Sequence, residues 1–504
     1  MYMSSREERF TVLKDKLREI LNIRAVLALL QWDEEVNMPP NGAEARGDQL
    51  KTIAQILHRL ETDTYLGEEL SYFYECKNGL SSDDAKMIEE ARYDYQRAVK
   101  IPSSWVGKFA EVRSKAYHAW VQARHQSDFS IFQPYLDEIV SLCRERASLL
   151  GYEKSPYDAL LEDFERGTDT QTLDRLFSEL EQEQSKIYQS VLGEGRPGSV
   201  FEGKTWDTGK QWEITLQLLS AIGFDFNSGR QDRSVHPFTT NFDIYDVRIT
   251  TRLNSTNLFS GIFSSLHEGG HALYEQGFRK EDRGTWLAQA PSLGIHESQS
   301  RFWENFVGRS FSFCQYFLPL LKQYFPNEFE NIPPELLYRE INRVFMNFIR
   351  VEADECSYNL HIVLRYRIEK DLIEGSIQVS DVPDYWNHLF EKLFGSAPPN
   401  DADGCLQDIH WSHGSFGYFP SYALGNLFAG QILEKIKTEL NIDELIKEGD
   451  FIPVHDWLKK NIFEIGRRCC AKEIVEKISG KPVSSTLFLS YLKEKYSKIY
   501  QISL

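Results

Sequence analysis

His267-Glu268-Gly269-Gly270-His271 sets two imidazoles four residues apart, with a carboxylate beside the first. On a helix, positions i and i+4 lie one turn apart on one face. Both rings can therefore converge on one ion at the roughly 2.0–2.1 Å of a Zn–N bond. Glu268 follows the first ring and can reach a metal-activated water, where it would serve as general base and then general acid. A catalytic centre needs a third donor and one open position. Downstream, Gly294-Ile295-His296-Glu297-Ser298-Gln299-Ser300 opens a second helix, and Glu297 lies 26 residues after His271. His267, His271 and Glu297 together would supply two neutral donors and one anionic donor and leave the fourth position open. His296 competes as third ligand, and spacing alone does not separate it from its neighbour. The bland alternatives are a chance pentapeptide and a surface glutamate.

The elements that must position these groups read as helices. Leu258, Ile262 and Leu266 recur at i, i+4 and i+8, so the pentapeptide sits on a helix over 257–276, with Gly277 suited to its C-terminal cap. Two glycines inside that helix cost roughly 1 kcal/mol each relative to alanine, which implies close approach by another helix or by substrate. Helical periodicity predicts further helices at 6–31, 43–60, 84–98, 104–126, 131–150, 170–192 and 208–222. It predicts them again at 295–322, 334–374, 384–394, 418–440, 453–463 and 484–498. Asn37–Gly42 breaks the chain, and 194–203 reads as a surface loop. Between 238 and 253, Val247, Ile249, Thr251 and Leu253 alternate with Arg248, Thr250 and Arg252, the period of a strand. The expected fold is mainly α: a large multi-helix body with a small β-sheet next to the segment that carries the chemistry. No repeat, low-complexity tract or long linker divides it. Residues 1–504 read as one catalytic unit, with about 1–100 as a semi-separate helical flap.

The chain has 504 residues, 41% apolar and 26% charged, enough to bury a large core. Its net charge of -18, without a Lys/Arg block, argues against nucleic acid and anionic membranes as partners. No segment reaches the roughly 20 apolar residues of a membrane span, and Met1–Phe10 lacks the apolar core of a signal peptide. The seven cysteines form no CxxC pair and read as free thiols, which fits the cytoplasm.

With these segments in hand, the sequence resembles the thermostable carboxypeptidase family, the M32 metallocarboxypeptidases, which are gluzincins. The segments that carry the resemblance are His236-Pro237-Phe238, Asp246-Val247-Arg248-Ile249-Thr250, His267–His271 and His296-Glu297-Ser298-Gln299. Ile349-Arg350-Val351-Glu352-Ala353-Asp354, Gly404–Trp411 and Gly414–Pro420 follow, and Trp32-Asp33 with Met38-Pro39 precede them. The resemblance runs from about residue 30 to beyond 430. It implies a helical, saddle-like monomer with a deep groove, paired as a homodimer. It also implies one divalent metal per chain, Zn2+ or alternatively Co2+. The implied activity is release of single amino acids from the free C-terminus of peptides, with broad specificity and C-terminal proline disfavoured.

Such an enzyme must hold a terminal carboxylate, and an arginine fork matches its two oxygens. The resemblance favours Arg350; the competing reading pairs it with Asp354, four residues on in a helical run over 345–367. Arg248 is the second candidate anchor. With Asp246 and Thr250 on the same strand face, it would shape the groove's end, where an exposed edge could add a peptide strand. His236 joins these as a substrate-binding candidate. His410 and Tyr418, in a loop freed by Gly414 and Gly417, are candidates to stabilise the oxyanion. Asp408 and Asp354 are candidates to orient groups around the metal. Two other readings stand beside this one: a different helical gluzincin, such as an oligoendopeptidase or dipeptidyl carboxypeptidase, and a non-catalytic peptide-binding scaffold.

Overall fold

Ser5 and Glu8 open the first helix reciprocally: Glu8 N–H donates to Ser5 Oγ at 3.2 Å, and Ser5 N–H donates to Glu8 Oε2 at 2.7 Å. The computed structural model describes residues 5–195 and 198–504. Met1–Ser4, part of the N-terminal stretch read above, and Arg196–Pro197, inside the expected 194–203 loop, lie outside them. The helix runs Arg6–Val36, past the expected 31, and stops where Pro39 and Pro40 follow. Helices Ala43–Glu61, Thr64–Glu75 and Ser82–Ala98 complete an N-terminal group. Thr64–Glu75 was not anticipated, although Asp63 caps it and Leu66, Leu70 and Phe73 recur on one face.

Two hydrophobic cores result. The smaller gathers Leu13, Leu17, Leu70, Phe73 and Ile88 from the N-terminal helices around Trp286 and Leu287. The larger fills the rest of the molecule. Helix Ala43–Glu61 has no fully buried residue. Among the described residues no helix is long and apolar enough to cross a membrane, and all seven cysteines are free.

The expected strand region is a hairpin plus one further strand. β1 (Gly229–Arg233), β2 (Thr239–Asp243) and β3 (Asp246–Thr251) form a sheet of order β1-β3-β2. β3 pairs parallel with β1 and antiparallel with β2. Val247 and Ile249 are buried while Asp246 and Arg248 keep partial access, as the alternation predicts, but Thr250, expected on the same face as Arg248, is buried, with Ser234 Oγ donating to its Oγ1 at 2.7 Å.

Two long helices expected from periodicity are broken. The 295–322 helix divides into Leu293–Arg301, a wide π-helical turn at Phe302–Val307, and Phe311–Tyr324. The 334–374 helix divides into Pro334–Ile341 and Tyr358–Glu374, with Arg350–Glu352 as a single tight turn between them. Distant side chains satisfy the backbone there in place of helical bonds. Val344 N–H donates to Tyr500 Oη at 2.8 Å, Arg350 N–H donates to Gln407 Oε1 at 2.8 Å, and Gln407 Nε2 donates to the Phe348 carbonyl at 3.0 Å.

Candidate metal centre

The helix Leu258–Gln276 carries the two histidines. Asn257 caps it, accepting from Ser260 N–H at 3.2 Å, and Ser265 Oγ donates to Thr251 Oγ1 of β3 at 2.9 Å. Its glycines are contact points. A Cβ on Gly270 would meet the carbonyl of Gln299 and stand 2.7 Å from Ser300 Cα, and one on Gly269 would stand 2.6 Å from Leu219 Cδ2. The helix Leu293–Arg301 therefore packs backbone to backbone on the histidine helix, as the glycine pair implied. Gly277 ends the helix with φ -89°, so its use is not a left-handed cap; a Cβ there would strike Phe463.

That close packing delivers Glu297. Its Oε2 lies 3.3 Å from His271 Nε2 and 3.5 Å from His267 Nε2. Among the described residues His267, His271 and Glu297 gather their ligand atoms within 4.8 Å of one another. His296 turns aside: its Nε2 sits 2.8 Å from Glu275 Oε1, and its ring stacks on that of His271 at 4.4 Å. The donor set fits a divalent cation. Burial, with His296 nearby, pushes His271 down to about 3, which leaves the neutral imidazole that ligates. Its buried Nδ1 has no protein partner. Against burial, Arg301 and His267 hold the Glu297 carboxyl well below the usual range. Burial disfavours charge on His267 as well, yet the carboxylates of Glu297 and Glu304 outweigh it and raise its pKa. Glu304 Oε2 lies 2.9 Å from His267 Nδ1, which directs Nε2 toward the shared centre.

Glu268 is buried beside this group. Thr239 Oγ1, on β2, donates to its Oε2 at 2.6 Å, and burial raises its pKa. The small sheet thus aims the carboxylate expected to move protons.

Arg350, Tyr358, His410, Tyr418 and Tyr422 form a second cluster. Arg350 lies on the tight turn, not on a helix, and its partner is Asp408, not Asp354. Its Nε and Nη2 donate to Asp408 Oδ1 at 3.0 and 2.8 Å, and its Nη1 donates to Tyr358 Oη at 3.1 Å. Arg365 Nε donates to Asp408 Oδ2 at 2.6 Å. Two buried guanidinium groups thus share one carboxylate, and the cluster keeps a surplus positive charge. Asp408 is committed to these arginines and does not orient a metal-site histidine; Glu304 stands in that position. Asp354 instead accepts from Ser357 N–H at 3.0 Å ahead of helix Tyr358–Glu374, and burial raises it to about 6. His410, lowered to about 3 by burial, places Nε2 3.3 Å from Tyr422 Oη. Burial lifts Tyr418 to about 12; it stands near enough to Glu297 to feel its charge, with its ring 5.2 Å from that of His410.

Arg248 donates to Asp246 from Nε at 2.9 Å and lies over the Trp32 ring at 4.2 Å. Its strand, β3, is the centre of the sheet and so offers no edge to which a peptide strand could be added. His236 is exposed ahead of β2, and its carbonyl accepts from Ser234 Oγ at 2.6 Å.

Sequence reasoning missed Thr239, Arg301, Glu304, Tyr358, Arg365 and Tyr422. Arg301 and Glu304 had a signal, since they follow Glu297 at four and seven residues on one helical face. The others come from remote segments and had none.

Residues 12–496 match the family model described as carboxypeptidase Taq (M32) metallopeptidase. Carboxypeptidase 1 of Bacillus subtilis (strain 168) is 37% identical over 488 residues, covering 96% of this chain and 97% of the relative. Thermostable carboxypeptidase 1 of Thermus thermophilus is 38% identical over 496 residues, with 96% and 97% covered. Among solved structures, the M32 carboxypeptidase from Deinococcus radiodurans R1 superposes with a TM-score of 0.96 at 33% identity, covering 98% of this chain and all of the other. Pyrococcus furiosus carboxypeptidase gives 0.93 at 35% identity, covering 98% and 100%.

Proposed function

This chain belongs to the carboxypeptidase Taq (M32) family of metallopeptidases, and on that premise we propose that it removes one amino acid at a time from the free C-terminus of peptides, with Glu268 moving the proton and Arg350 holding the terminal carboxylate. The observation that carries the reading is a pair of features. Glu297 Oε2 faces both imidazoles, and a buried arginine pair with one surplus positive charge is linked to that centre through Tyr358.

His267, His271 and Glu297 would hold the ion, and two imidazoles with one carboxylate suit zinc, with cobalt as the alternative. When bound, a divalent cation supplies a Lewis acid that polarises the scissile carbonyl and acidifies water. Glu268 accepts the proton of the attacking water and returns it to the amine nitrogen as the C–N bond breaks. Its raised pKa keeps it a competent acceptor, and Thr239 fixes which oxygen is available. Arg350 spends its Nε and Nη2 edge on Asp408 and one Nη1 hydrogen on Tyr358, so substrate meets the hydrogen left on each of Nη1 and Nη2. His410 and Tyr418 supply neutral donors for the developing oxyanion. Arg248, Asp246 and His236 line the approach on the sheet side.

Broad specificity with proline disfavoured, pairing as a homodimer and a cytoplasmic location complete the proposal; the last draws on seven free thiols. The chain acts as one catalytic unit, with the N-terminal helices as a flap.

Mass spectrometry of one peptide, free or amidated at its C-terminus, tests the reading with metal-loaded enzyme. The free peptide should give a ladder shortened by single residues, and the amide should stay almost intact. Internal fragments, or loss of dipeptides, would assign the chain to another kind of gluzincin cleavage.

A further inference from the structure

Glu297 uses its two oxygens differently. Oε2 faces both histidines and has Ser300 Oγ at 3.0 Å. Oε1 accepts from Arg301 Nε at 2.7 Å, one helical turn on. The stem is pinned as well, since a Cβ on Gly425 would stand 2.5 Å from Glu297 Cγ, so helix Pro420–Glu439 fixes where the carboxylate sits and leaves its two oxygens to be set by their partners. Arg301 is itself buried and held from three sides. Its Nη1 lies 3.3 Å from Glu304 Oε2, and its guanidinium lies over the Tyr358 ring at 4.1 Å. A single cation thus touches the carboxylate that would ligate the ion and the carboxylate that orients His267.

We propose that Arg301 sets the denticity and the charge of the metal centre. By occupying Oε1 it limits Glu297 to one ligand oxygen and keeps a coordination position open for substrate, and by its own charge it offsets the buried carboxylate of Glu304. The inference rests on the metal-site reading above. With neutral histidines, Glu297 and Glu304 are balanced by Arg301 and by Arg309, whose Nη2 lies 3.6 Å from Glu304 Oε1. Without Arg301 one negative charge is left uncompensated, and Oε1 is released toward the ion. A cation is then bound more tightly and by more oxygens, at the expense of its open position. Arg301 is accordingly a positioning residue, and its loss has the opposite sign from loss of a mere structural support, which would weaken metal binding.

The test uses full-length protein freed of metal by chelation and titrated with Co2+, reading the dissociation constant by chelator competition and the visible absorption of the cobalt-loaded form. That absorption weakens as coordination number rises. Arg301→Gln should keep the helical circular dichroism, lower the dissociation constant on the order of tenfold or more, and weaken the absorption. Unchanged or weaker binding by a folded Arg301→Gln protein overturns the proposal. Should that variant fail to fold, Arg301→Lys carries the test, because it keeps the charge without an Nε at this place: its cobalt spectrum should change, and an unaltered spectrum overturns the denticity claim. Wild type that binds no stoichiometric Co2+ would instead contradict the metal site itself.

Discussion

At the scale of single residues, the histidine pair and Glu268 were legible because a helix fixes their relation within five positions. Choosing Glu297 over His296 was not, since adjacent residues differ by about 100° around a helix and only the packed partner shows which one faces the histidines. Glu304 had only its spacing from Glu297 as a signal: it acts through His267 from within the π-helical turn. Its contact with Nδ1 is what keeps Nε2 directed at the ion, and such partners typically carry 10–100-fold of metal affinity. Glu304→Gln should therefore raise the metal dissociation constant by about 10–100-fold with little change in thermal stability, measured by chelator competition. Unaltered affinity would leave the carboxylate without an orienting part.

Elements set these residues in place, and most were readable from apolar periodicity. The exception is instructive. Residues 342–357 have helical composition, yet Gln407 and Tyr500 capture their backbone groups, and no local signal announces a partner that far away in sequence. Arg350 therefore lies on a tight turn, and where the competing reading paired it with Asp354 its partner is Asp408. The helix bearing Glu297 depends on a similar remote anchor. Glu165, buried, accepts from Gly294 N–H at its first turn, and burial pushes its carboxyl up to about 7 against the donors around it. A carboxyl raised on folding stabilises the native state fully below its unfolded value near 4.5, and that contribution is lost as pH rises through 7. Glu165→Gln mimics the protonated form. In denaturant unfolding it should match wild type near pH 5 and exceed it by about 2–3 kcal/mol near pH 8. A difference that does not vary with pH would mean that Glu165 ionises normally.

On the whole-molecule scale, the mainly helical class and the small sheet beside the site followed from the sequence, but the distant residues that complete the smaller core did not. Trp286 and Leu287 lie in the middle of the chain and complete the core of the N-terminal helices. Arg467 and Arg468, near the other end, reach Asp94 and Asp83 in those same helices. Contacts of such sequence separation leave no periodic trace. The same long-range folding links the surplus charge of Arg350, Arg365 and Asp408 to the metal centre through Tyr358, and the proposed function assigns that charge to the substrate's terminal carboxylate.

The most direct measurement of that claim is a double cycle in kcat/KM, crossing Arg350→Ala with amidation of the peptide C-terminus. Amidation should slow wild type by several kcal/mol of lost charge-assisted bonding, at least about 100-fold. It should slow Arg350→Ala far less, because the anchor is already gone; the coupling between the two changes would then be large. If the two losses simply add, Arg350 does not touch the carboxylate and the account of the exopeptidase site is wrong.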